Sequence, residues 1–196
     1  MTINSKSKTL LALALAIALA ATGCSAQWIN TALQDLPVLT QMALNIATVV
    51  STLAAGQQAS AADTAVIQNI SAQASRDLNL LQTLYNEYKA SPNANTLQKI
   101  ESAISDLNQN LPTMLQSAHI SNPTVSARVA AGVNLILTTV NSFAALMPQA
   151  SPSTARKISP APLLHATDLK KQWNQQVCAP TGNPVMDAAF GASVLR

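Results

Sequence analysis

The side chains able to act as nucleophiles or metal ligands are few. The chain has two cysteines, Cys24 and Cys178, two histidines, His119 and His165, and eight acidic residues in 196. A metal centre needs several His, Cys, Asp or Glu side chains converging on one point. The histidines lie 46 residues apart, and no HExxH, CxxC or paired-carboxylate motif is present. Neither metal nor cofactor is expected. No GxSxG turn occurs, and the five glycines never cluster into a phosphate-cradling loop. The one nucleophile–base pair worth naming is Cys178 with His165, 13 residues away. Catalysis requires such groups on a rigid frame, and the surrounding sequence offers little. An enzyme using Cys178 is therefore the weakest of three functional readings.

Cys24 has a different context. Lys6 and Lys8 precede an uncharged apolar run from Leu10 to Ala21, which closes on Ala21-Thr22-Gly23-Cys24. A basic start, a short apolar core and small residues at the end form a secretory signal. Twelve residues are too few to span a bilayer, which takes about 20. The cysteine after small residues resembles the lipobox of bacterial lipoproteins, with Ala21 where that family most often has Leu. The resemblance covers residues 1–24. It implies removal of 1–23 and lipidation of Cys24 as the first mature residue. Each buried acyl methylene then adds roughly 0.8 kcal/mol of membrane affinity. Ser25, rather than Asp, follows the cysteine, which by the same resemblance favours the outer membrane where there are two. The competing reading is ordinary cleavage after Ala26. A Cys24–Cys178 disulfide is the only intramolecular pairing available, and lipidation forbids it.

Loss of Lys6 and Lys8 with the signal takes the formal charge from +3 to +1. A nearly neutral protein has no electrostatic basis for nucleic-acid binding. The remaining length suits one domain.

The elements that would position any site are helical. Strand signals are absent, and apolar residues recur at three- and four-residue spacing in four segments. The first runs from about Trp28 to Ala55 with two apolar stripes, and Pro37 predicts a start near Asp35 or a bend. Gly56 is its expected stop. The second, about Ala61 to Lys89, has Ser60 as cap and Asp63 as reciprocal partner. The third, about Asn95 to Ala118, carries the heptad-like stripe Leu97, Ile100, Ile104, Leu107, Leu111, Met114 and Ala118. Pro112 should kink it. The fourth opens on Asn122-Pro123 and continues to Met147. Val129 to Pro148 is uncharged, but Asn134, Thr138, Thr139, Asn141 and Ser142 argue against a membrane span.

The expectation is an all-α fold: an antiparallel up-down-up-down four-helix bundle over 24–148, a Pro-rich linker over 149–165, and a C-terminal tail over 166–196 with one or two short helices, docked on the bundle because it has too few apolar residues to fold alone. Leu169, Trp173 and Phe190 are the tail's candidate partner contacts. Trp28, four residues beyond Cys24, is a candidate for contact with the membrane interface, its alternative being a core position. Tyr85 and Tyr88 should close the second stripe with hydroxyls in water. Two readings stand ahead of the enzyme. The first is a non-catalytic, lipid-anchored envelope protein that contacts another envelope component. The alternative is a binding module for an apolar small molecule or lipid, with Ala43, Ala47 and Ala54 leaving room between helices.

Overall fold

Regular apolar spacing with hardly a strand-forming run yields helix throughout the described chain. The computed structural model describes residues 5–57, 59–118, 120–147 and 164–196, with side chains from Trp28 onward. Among them are six α-helices and no strand: α1 (Ser5–Ala55), α2 (Ala61–Ala90), α3 (Ala94–Ser117), α4 (Pro123–Ala144), α5 (Ala166–Gln176) and α6 (Pro184–Gly191). His119 and nearly all of the Pro-rich linker fall outside the described residues, as does the side chain of Cys24.

Helix starts follow local chemistry. Ser60 Oγ accepts from Asp63 N at 3.0 Å, and Asn93 Oδ1 from Thr96 N at 2.8 Å. Asn122 accepts from the amides of Thr124 and Val125, and Asn183 from those of Val185 and Met186. Each cap satisfies amides that the first helical turn cannot. In α4 and α6 a proline follows the cap, where its missing N–H costs nothing.

One expectation is corrected: α1 does not start near Asp35 but runs as one helix through Pro37. The proline lies on the exposed side, while Leu36 and Leu39 are fully buried. Packing on both sides of the lost bond holds the helix together. Helix α3 likewise continues past Pro112 to Ser117. After α1, the left-handed residue is Gln57 (φ 58°), not Gly56. Gly56 serves space instead: a Cβ there would lie 2.7 Å from Val185 Cγ1 of α6.

One apolar core joins all six helices. Helix α1 is central and packs against α2, α4, α5 and α6, as its two stripes require. Ser71 Oγ of α2 donates to the Ala43 carbonyl of α1 at 2.6 Å, so Ala43 lets the two backbones approach closely. Asn108 of α3 and Asn141 of α4 exchange side-chain hydrogen bonds at 2.7 and 2.9 Å. Among the described residues, Trp28–Ala55 is the stretch long and apolar enough to cross a membrane, with mean hydropathy 1.5. Such an N-terminal helix is compatible with a signal sequence or membrane anchor. Here Leu36, Met42, Ile46, Val50 and Leu53 of that stretch are core residues.

Candidate functional site

Two places gather the residues singled out above: the end of the bundle where its described side chains begin, and the seat of the C-terminal tail.

At the first, Trp28 of α1 is 5% exposed and meets Tyr85 of α2 edge-on, ring centroids 5.5 Å apart. Tyr88 lies tilted at 6.5 Å. The indole therefore occupies a core position, the alternative that the sequence left open for it. Tyr85 is fully buried, so its hydroxyl does not reach water. Among the described residues, neither that hydroxyl nor Trp28 Nε1 has a hydrogen-bond partner. Burial pushes the Tyr85 phenol well above its ordinary range. A buried, unbonded hydroxyl is destabilising. Tyr85→Phe is expected to stabilise the protein by about 1 kcal/mol. Urea unfolding checks this, and a clear loss of stability would reveal a bond from the hydroxyl.

At the second, α5 and α6 lie on α1 and α4. Leu169, Trp173 and Phe190 are fully buried there. In this arrangement the bundle itself covers the side chains of Leu169, Trp173 and Phe190, as expected of a docked tail. The tail is also held by polar contacts. The Ser193 carbonyl accepts from Trp173 Nε1 at 2.9 Å and from Asn45 Nδ2 of α1 at 3.0 Å. Asn174 and Leu195 bond reciprocally, both at 2.9 Å. Arg128 of α4 donates to the carbonyls of Gln176 (2.6 Å) and Ala179 (3.2 Å), with its guanidinium 5.7 Å from the Phe190 ring centroid. Asp187 accepts from Thr181 N, Thr181 Oγ1 and Gly182 N, which hold its carboxyl below its ordinary value. Gly182 sits at φ +84°, a conformation glycine supplies without strain.

Beneath the start of α5 lies Asp35, 1% exposed, with Oδ2 unpartnered among the described residues. Desolvation pushes its carboxyl from 3.8 up to about 6, against the opposing pull of His165 and the Ala166 N–H. His165 is the cap residue of α5 but makes no side-chain cap bond. Sequence reasoning missed Asp35, although a signal existed: it is the only charged residue between Lys8 and Asp63. A lone charge in so apolar a stretch has either a partner or a purpose.

The structure does not assemble Cys178 with His165. They stand at opposite ends of α5, whose 11 residues span about 16 Å. Cys178 is free and half-buried, and burial pushes its thiol up, away from the reactive thiolate. Among the described residues no group of His, Cys, Asp and Glu could hold a metal. A surface cleft of about 430 Å³ between α2 and α3 is lined by Leu80, Leu84, Lys99 and Asp106 among others. Asp63 lies at a second cleft, where its carboxylate accepts from Ser121 N at 3.2 Å. Desolvation raises the Asp63 carboxyl, but bonds from Ser121 and Ser60 outweigh it and hold it below the ordinary value.

No family model, curated protein or solved structure matches this chain.

Proposed function

We propose that the protein is a lipoprotein of the bacterial cell envelope, a non-catalytic helical bundle tethered by acyl chains on Cys24. Where the cell has two membranes, the outer one is favoured by Ser25. The observation carrying this reading is the juxtaposition of Ala21-Thr22-Gly23-Cys24 with the start of the core. Trp28 is a core residue four positions beyond Cys24. Even fully extended, four residues reach roughly 14 Å. The bundle end bearing Trp28, Tyr85 and the turn at Ser91 would rest close to the headgroups.

The bundle is an up-down-up-down arrangement of α1 to α4. Supporting this, Trp28 meets Tyr85 while Ser51 meets Gln68, so α1 and α2 run in opposite senses. Thr96 bonds Glu87 at one end of α2, and Asp63 bonds Ser121 at the other, which opposes α3 to α2. Asn108 paired with Asn141, with only residues 118–122 connecting the two helices, supports extending the pattern to α4. Contact with another envelope protein belongs to the outer faces, where Leu44 and Leu80 are about half exposed.

The test is expression of the full chain in a bacterial host, with intact mass and membrane fractionation. The wild type is expected in the membrane fraction, beginning at Cys24 and heavier by its acyl groups. Cys24→Ser should abolish both the added mass and the membrane association. A wild-type product that begins at Gln27 without lipid overturns the reading.

A further inference from the structure

We propose that Asp35 is a proton-operated latch for the C-terminal tail: protonated, it seats α5 and α6 on the bundle, and ionised, it lets them lift. This is independent of the lipid anchor. The geometry has three parts. Asp35 projects from α1 beneath the tail, 1% exposed, with one carboxyl oxygen unpartnered among the described residues. The element lying over it is the start of α5, through His165 and the Ala166 amide. That start makes no cap bond from its own side chain, and α5 packs directly on α1. Among the described residues, the titratable group acting on the carboxyl is the exposed His165; no charged side chain of α2, α4 or α6 does so.

An ionised carboxylate in such a place is compensated poorly by one amide and a solvent-facing imidazole. Lifting α5 admits water and restores the hydration of the charge. The neutral acid needs far less compensation and can donate a bond of its own. The sign follows from linkage. Seating raises proton affinity, so seating is accompanied by proton uptake. The tail is then held most firmly in acid, and the hold weakens as pH rises through about 6.

The same seat is otherwise arranged to come away as a unit. Its polar ties are to backbone carbonyls: Gln176 and Ala179 to Arg128, Ser193 to Asn45. None of these needs a change of charge to break or re-form.

Hydrogen exchange on the full chain, corrected for the intrinsic pH dependence of exchange, tests the latch. The readout is the opening equilibrium of α5 and α6, with α2 as internal reference. In the wild type it is expected to rise by up to about tenfold between about pH 5 and about pH 7.5, with α2 unchanged. Asp35→Asn should remove the rise. His165→Gln should retain it, because the carboxyl is the acting group. A flat wild-type profile overturns the proposal. So does a rise that survives in Asp35→Asn, or one that disappears in His165→Gln. Should Asp35→Asn fail to fold, the wild type and His165→Gln still decide the outcome.

Discussion

Trp173→Ala lowers the unfolding free energy by about 3–5 kcal/mol, and the loss appears first in α5 and α6. The indole is fully buried where α1, α4 and α5 meet. Its removal leaves a large void among side chains of a close-packed core, which collapses incompletely. The lost hydrogen bond adds less. The Ser193 carbonyl keeps its second donor, Asn45 Nδ2 at 3.0 Å, and is not orphaned. Trp173→Phe separates the two contributions. It retains most of the ring, forfeits the N–H, and is expected to cost about 1–2 kcal/mol. Urea melts give the totals, and hydrogen exchange gives the order in which helices lose protection. Equal loss of protection in α2 and α5 would mean that the tail is part of a single cooperative unit. A cost below about 1 kcal/mol would mean that the indole is not packed as described.

The parts of this fold that the sequence makes legible are those governed by neighbours along the chain. Ser60, Asn122 and Asn183 cap helices because the amides they satisfy lie two or three residues away. The stripe from Leu97 to Leu111 is buried because its spacing leaves it one face. The same local rules misplace the start of α1. Proline removes a donor, and within an isolated helix this is decisive. In α1 the core contacts of Leu36 and Leu39 override it, and they depend on helices that arrive later in the chain. The capping pair at α2 is half legible. Ser60 behaves as a cap, but the Asp63 carboxylate also reaches Ser121, 58 residues on.

The seat of the tail illustrates what spacing cannot supply. Leu169, Trp173 and Val177 share one side of a short helix in the sequence alone, which establishes that they seek burial. Whether they bury against the bundle or against another protein depends on a complementary surface. That surface comprises Ile46, Gly132 and Arg128, more than 35 residues distant in each case. Arg128 carries no signature of its role, since the groups it binds are backbone carbonyls that every residue possesses. Asp35 differs. Its isolation in an uncharged stretch is visible without coordinates, but the helix that covers it is not.

Gly132 gives the sharpest test of the tail's position, because its neighbours are both fixed. A Cβ at this position would lie 3.0 Å from Trp173 Cζ3 and 3.3 Å from Ile46 Cδ1. Neither can swing into solvent, since Trp173 is fully buried and Ile46 is 2% exposed. Alanine gains about 1 kcal/mol of helix propensity over glycine and meets a tight contact, so the two effects nearly cancel. Leucine adds three further carbons with no space to take them. Gly132→Leu is expected to cost about 3 kcal/mol, at the upper end of core overpacking. The tail should yield before α1, because α1 also packs extensively on α2, whereas α5 is seated on α1 and α4 through a smaller surface. Proteolysis of α5 and α6 under native conditions would then accelerate well ahead of global unfolding. Combining Gly132→Leu with Trp173→Ala decides whether the two positions share one volume. The cavity left by the indole accommodates the leucine, so the double variant should be more stable than the sum of the single losses by about 1–3 kcal/mol. Strict additivity would place Trp173 somewhere other than against Gly132, and the tail with it.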